Sequence, residues 1–378
     1  MSRLQETGSK EHRELRFRLN AMPETQRDPS TSQAERLRTA RRIFIGALAS
    51  TTLFTAAWIG LLLTRTASGG LLGRRQIDAE ALGRVLFTFL LVTVFWGWLW
   101  YGMKRLLLVR AGLTQEELRL VFSSRMSQPF DLPALLAGRS ERMIRIFDMI
   151  GRRGRFVPLG IAGFLYVYTR VVQDPQPEFL TWGIQESLLD AVFVNWLHLA
   201  AYHSDGFFGR VVFGAQTRIM DGVLGRANCL VITMLWGLFR FVMVPLSVQL
   251  AAVFPPHTFS ALFAFIWLSY LACDACAEIF GALFGRQRLQ VWGIGDVNRK
   301  SLAGTFAGFV ASLALCSWLV SAHNLPASWM GLAIAVSVSN TLLELFSPRG
   351  TDDFTMATAN AFLCWGFGLL VYGGHAHP

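Results

Sequence analysis

The sequence predicts an all-α, polytopic integral membrane protein with about nine transmembrane helices and a cytoplasmic N-terminus. Three observations carry this. Charged residues make up only 16% of the 378, against ~25% in ordinary soluble domains. Hydrophobic residues reach 53% and the mean hydropathy is +0.40. Apolar runs recur at 43–63, 85–103, 156–173, 179–201, 228–253, 258–284, 302–322, 329–346 and 355–373, each near or above the roughly 20 residues that cross a bilayer. The net charge of +10 does not imply nucleic acid, because the basic residues fall mainly between apolar runs, where they set orientation and meet anionic headgroups.

Residues 1–42 form a polar tail rich in Arg, Glu, Gln and Ser and interrupted by Pro23 and Pro29, a composition expected to be disordered or loosely helical. Arg36, Arg38, Arg41 and Arg42 directly precede the first apolar run and should hold the N-terminus inside. Residues 43–103 hold the first two runs, although Arg65, Arg74, Arg75 and Arg84 between them argue that one of the two lies on the surface. The connector 104–155 begins a helix with a capping box at Thr114 and Glu117. Further on, Met143, Phe147 and Ile150 share one side of a helix with Arg142, Arg145 and Arg152 elsewhere, the pattern of an amphipathic helix at the membrane interface.

The remaining seven runs, within 156–378, form the expected catalytic core. Loops around 254–258 and 322–328 carry no Lys or Arg, while 202–227 and 285–301 carry several and 347–354 carries Arg349, so the alternation is self-consistent over the last six runs. Glu186 and Asp190 lie one turn apart; they suit either an interhelical ion-pair network or contact with the polar end of a lipid. The five cysteines sit in or beside apolar segments, and no second Cys pair or His cluster completes a zinc site around Cys273 and Cys276. They are expected to be free, small apolar side chains.

Chemistry concentrates in the sixth run. Asp274 and Glu278 are four apart, as are Ala277, Gly281 and Gly285, so a helix here presents a carboxylate edge and a close-approach edge. A carboxylate in a membrane span is costly and marks a candidate site. Just beyond lie Arg286, Arg288, Lys300, Ser301 and Thr305, and downstream lie Glu344, Asp352 and Asp353. Carboxylates can hold Mg²⁺ while Lys, Arg and hydroxyls cradle phosphate oxygens, the two parts that phosphoryl transfer requires. Asp274 is the first candidate for metal ligand or general base, with Glu278 in support. Lys300 serves either phosphate or positive-inside anchoring, and Ser301 and Thr305 open a helix whose free N–H groups favour anions. There is no Gly-x-Ser-x-Gly elbow for a lipid hydrolase. Gly293 and Gly295 follow no predicted strand, and His375 and His377 lie in a solvated end.

The run Asp274-x-x-Ala277-x-x-x-Gly281-x-x-Phe284-Gly285-Arg286, then Lys300-Ser301-x-x-Gly304-Thr305, resembles the signature of the membrane-bound polyprenol kinase family of dolichol, phytol and CTP-dependent diacylglycerol kinases. Glu344-x-x-Ser347-Pro348-Arg349-Gly350-x-Asp352-Asp353-x-Thr355 resembles that family's second acidic motif. Cys273 stands where the family usually has Gly, and Asp353 where it often has Asn. The resemblance covers about the last hundred residues. It implies CTP as phosphoryl donor, a lipid alcohol as acceptor and a site facing the cytoplasm, in a bacterial inner membrane or an organelle membrane. A similar pattern occurs in phosphatidate cytidylyltransferases, whose terminal signature is missing here. A transporter or scaffold is the reading from another class.

Overall fold

The computed structural model describes residues 33–68, 95–123, 132–154, 195–202, 209–221, 223–291, 298–348 and 350–373, with isolated positions between them. Helices α1 (Gln33–Ser68), α2 (Gly97–Arg110), α3 (Gln115–Val121), α4 (Leu132–Leu136) and α5 (141–154) precede a longer helix α6 (Val223–Val253). Then come α7 (Phe259–Phe284), a hairpin of β1 (Arg288–Val291) and β2 (Asn298–Ser301), and α8 (Leu302–Ala322), α9 (Ser328–Phe346) and α10 (Asp352–Tyr372).

Among the described residues, four helices, α7 to α10, are long and apolar enough to cross a membrane; they are the last four predicted runs. The fifth run lies within α6, whose stretch Leu224–Phe239 is a shorter apolar helix. The first lies within α1, and the third and fourth fall largely outside the described residues. Helix α1 starts at Gln33, so 33–42 take the helical alternative of the expected tail and extend the first helix.

Small residues let α7 and α8 approach closely, as the Ala277, Gly281 and Gly285 spacing predicts. A Cβ on Gly304 would stand 2.4 Å from the Ala277 carbonyl, and one on Gly308 would stand 2.9 Å from that of Cys273. The seam is reciprocal, since a Cβ on Gly285 would meet Ser301 at 2.6 Å. Small-xxx-small seams of this kind join membrane helices by backbone packing. Gly304→Ala is therefore expected to force the two helices apart, costing ~1–3 kcal/mol. Thermal melting in detergent would read this as a lower midpoint; an unchanged midpoint would mean the seam is looser than described. Cys273 packs here, fully buried, and all five cysteines are free, as expected.

The bundle is fixed at two further levels. At one end Trp329 is buried with its ring 5.3 Å from Phe367, 5.6 Å from Phe265 and 5.7 Å from Phe254, and its indole N–H donates to the Tyr372 hydroxyl at 3.1 Å. Midway, the Ser269 hydroxyl on α7 donates to Phe265 O and accepts from the amides of Asn340 on α9 and Asn360 on α10, both at 3.1 Å.

The chain is mostly helical, as expected for an all-α membrane protein, with one short addition: β1 and β2 pair antiparallel, Arg288 opposite Ser301 and Leu289 opposite Lys300. Gly293 and Gly295 therefore do follow a strand, though both lie outside the described residues. The connector shares an apolar core with the segment 215–220, in which Leu108, Leu118, Phe122, Leu135, Ile144 and Ile219 are buried together. Here α5 does not merely lie at an interface on Met143, Phe147 and Ile150. Met143 and Ile150 are exposed while Ile144 is fully buried, because Gly151 and Gly154 admit α5 against Lys104 and Trp100 of α2. A buried ion pair ties the elements together: Lys104 Nζ lies 2.6 Å from Asp148 Oδ1 and donates to Thr217 O and Ala215 O, while Asp148 Oδ2 accepts from the Ile219 N–H at 2.9 Å. The predicted capping box forms, with Thr114 N–H donating to Glu117 at 2.7 Å and Glu117 N–H to the Thr114 hydroxyl at 3.3 Å. The Arg139 hydrogen bond to Glu117, more than the cap, holds that carboxyl below its ordinary range.

Candidate active site

Three helices deliver one carboxylate each to the same end of the bundle. Asp274 comes from the second half of α7 and Glu344 from the last turn of α9. Asp352 opens α10, where a negative charge suits the helix N-terminus. The chain turns between α9 and α10 at Pro348 and at Gly350, whose φ of 83° lies in the left-handed region open to glycine. The Ser347 and Thr355 hydroxyls meet across this turn at 2.6 Å. As a result, one oxygen from each of Asp274, Glu344 and Asp352 lies within 4.8 Å of the other two. Asp353 is near enough to feel the charges of Asp274, Asp352 and Glu344.

Lys300 reaches this cluster from β2, which runs directly into α8. Its Nζ lies 2.5 Å from Glu344 Oε1 and 3.4 Å from Asp352 Oδ2. Burial alone would lower the Lys300 pKa, but Glu344 and Asp352 outweigh it and hold the ammonium above its ordinary value. The lysine is thus charged at neutral pH, when it can meet phosphate.

A second, basic group borders the cluster. Arg153 Nη1 lies 2.6 Å from Asp274 Oδ2, and its Nε donates to Glu278. Arg152 also pairs with Glu278, and Arg218 lies 3.2 Å from the same carboxylate. Glu278 is therefore turned to three guanidinium groups and does not join the three-carboxylate cluster. The buried Lys104–Asp148 pair positions all three arginines: Arg152 is one turn beyond Asp148 on α5, and Arg218 sits between Thr217 and Ile219, whose backbones the pair binds.

The carboxylate set fits a divalent cation. Hard oxygens from three elements suit Mg²⁺, and Glu344 Oε2 is buried with no hydrogen-bond partner among the described residues. At ~5 Å, two such charges repel by about 3 kcal/mol at an effective dielectric of ~20. Among the described residues, Lys300 and Arg153 are the cations paired with the cluster, one fewer than its carboxylates, which leaves a negative charge that favours a bound cation.

Other predicted residues are placed differently. The Ser301 hydroxyl accepts from Gly304 N–H at 3.1 Å, and Thr305 donates to Ser301 O at 3.1 Å. Both hydroxyls thus serve the first turn of α8. The Leu302 N–H is likewise taken, by Gln287 O at 3.2 Å, so two of the donors expected at the α8 N-terminus, those of Leu302 and Gly304, are already engaged. Arg286 is exposed past the end of α7. Arg288 pairs with Ser301 in the ladder, which puts it on the sheet face opposite Lys300. Glu186 and Asp190 lie outside the described residues. Conversely, the sequence reading missed Arg152, Arg153 and Arg218, since no spacing signal links an arginine to a carboxylate sixty or more residues away.

No protein-family model, curated protein or solved structure matches this chain.

Proposed function

We propose that the chain is a CTP-dependent lipid kinase, transferring the terminal phosphoryl group of the nucleotide to the hydroxyl of a membrane lipid alcohol of the polyprenol, phytol or diacylglycerol type. The observation that carries this is the convergence of Asp274, Glu344 and Asp352 within 4.8 Å, with Lys300 bonded to two of them, at one end of apolar helices. Phosphoryl and nucleotidyl transfer both draw on that combination of metal-ligating carboxylates and a phosphate-binding cation. CTP itself comes from the resemblance of the two acidic motifs to the polyprenol kinases.

In this reading Asp274, Glu344, Asp352 and Asp353 would hold Mg²⁺, which when bound supplies positive charge to the phosphate oxygens. Lys300 binds the phosphates from the hairpin side. Arg152, Arg153 and Arg218 bind them from the connector side, exchanging the Glu278 carboxylate for phosphate oxygens. Transfer makes a bond from the lipid oxygen to the terminal phosphorus, breaks the bond to the bridging oxygen and releases CDP and a proton. The lipid would approach along the exposed apolar side chains Phe280, Phe284, Leu302 and Phe306 beside the site, its hydroxyl at the polar end of the bundle. The site would face the cytoplasm, in a bacterial inner membrane or an organelle membrane.

Membranes containing the protein, given Mg²⁺, labelled CTP and a panel of lipid alcohols or phosphatidate, test this directly. Label from the terminal phosphate in the lipid fraction is the expected result. Label from the cytidine in that fraction would replace the kinase with a phosphatidate cytidylyltransferase. Neither label in lipid would leave a transporter or scaffold.

A further inference from the structure

Away from the carboxylate cluster, α2, α3 and the π-helical turn Gly209–Gly214 enclose a cleft of about 180 Å³ lined by Tyr101, Arg105, Gln115, Leu118, Arg119 and Arg210. The lining follows from helical spacing. Tyr101 and Arg105 are one turn apart on α2, and Gln115 and Arg119 one turn apart on α3. Three of the six lining residues are cationic and none is a carboxylate. Among the described residues of α3, Glu117 is bound by Arg139 at 2.7 Å and Glu116 is exposed outside the lining. Arg105 is bonded to the neutral Gln115 amide oxygen, and the Arg210 Nε is buried with no hydrogen-bond partner among the described residues. The Arg210 charge is thus not met by an acceptor at Nε, and it adds to those of Arg105 and Arg119 at the cleft.

We propose that this cleft binds a phosphate group, held by Arg105, Arg119 and Arg210 with Gln115 and Tyr101 as neutral partners. Guanidinium groups match phosphate oxygens in fork geometry, and like charges gathered round a concave surface are held together best by an anion. The volume sets the ligand's size: sites for whole cofactors begin at roughly 300 Å³, so this cleft takes a phosphate and its immediate carrier, not a nucleotide. It is thus distinct from the candidate active site. The phosphate could be free or belong to a lipid headgroup. Leu99, Met103 and Leu106 on α2 are exposed next to Arg105, an apolar stripe beside a basic edge such as a headgroup site would have.

The test uses the full chain, once in detergent with added inorganic phosphate and once in vesicles of phosphatidylcholine with or without phosphatidylglycerol. Thermal midpoints are compared with those of Arg105→Gln/Arg119→Gln and of Arg210→Gln. The double variant changes only exposed side chains and should fold even if Arg210→Gln does not. A rise in midpoint with inorganic phosphate, with half-saturation at least ~10-fold weaker in the double variant, supports the site with free phosphate as ligand. A rise only with phosphatidylglycerol, lost in the double variant, supports it with a headgroup as ligand. No rise in either arm, or an equal rise in native and variant protein, overturns it.

Discussion

Asp274→Asn is expected to lower phosphoryl transfer to lipid by about three orders of magnitude, the scale on which removal of one preorganised charged contact acts, while the protein remains folded. The substitution keeps the shape of the side chain and removes its charge. Two of its relationships then change in opposite senses. The ion pair to Arg153 Nη1, at 2.6 Å, becomes a hydrogen bond to a neutral amide oxygen, but Arg153 keeps Glu278. Repulsion from Glu344 and Asp352 is relieved. Stability should therefore move little, while the charge that would hold a metal on the α7 side is gone. Lipid-linked label measured beside a melting curve separates the two. Activity within tenfold of the native chain would remove Asp274 from the mechanism, and collapse of the protein would make it a structural residue.

Lys104→Met should cost ~3–5 kcal/mol of stability, the usual result of stripping one partner from a buried ion pair and a large part of the ~5–15 kcal/mol that keeps a domain folded. Lys104 is fully buried and Asp148 nearly so; without the ammonium, Asp148 keeps a single N–H donor and the carbonyls of Ala215 and Thr217 lose theirs. The double variant Lys104→Met/Asp148→Leu should recover part of the loss, because no lone buried charge remains. Melting midpoints of the three proteins decide it. A double variant no better than the single one would mean that the backbone bonds, not the ion pair, hold the connector. Because the same pair presents Arg152, Arg153 and Arg218, a surviving Lys104→Met protein should also bind nucleotide more weakly.

Much of the candidate site was legible because its signals are local. Asp274 stands out as a charge within an apolar run, Lys300 opens the next run, and the turn residues Pro348 and Gly350 bring Glu344 back beside Asp352. Helix α7's small-residue edge was visible from spacing alone. What escaped was non-local. Glu278 is one turn from Asp274 and reads as its helper, yet that extra turn carries it from the cluster to the connector arginines. Arg152 and Arg153 read as the polar side of a surface helix, since nothing in their surroundings announces that Asp148 and Gly151 bury the opposite stripe. The hairpin was missed because a four-residue strand is too short for period-two alternation to stand out against a polar loop.

Ser269 has a consequence for the acidic end of the bundle. One hydroxyl, having given its proton to its own helix, takes an amide donor from each of two neighbours, and so fixes the azimuth of α9 and α10 about their long axes. Asn340 is four residues from Glu344, and Asn360 seven from Asp353, on the same faces. The aim of both carboxylates is thereby inherited from a knot of uncharged groups deeper in the protein, which acts as the keyway to which the acidic cluster is indexed.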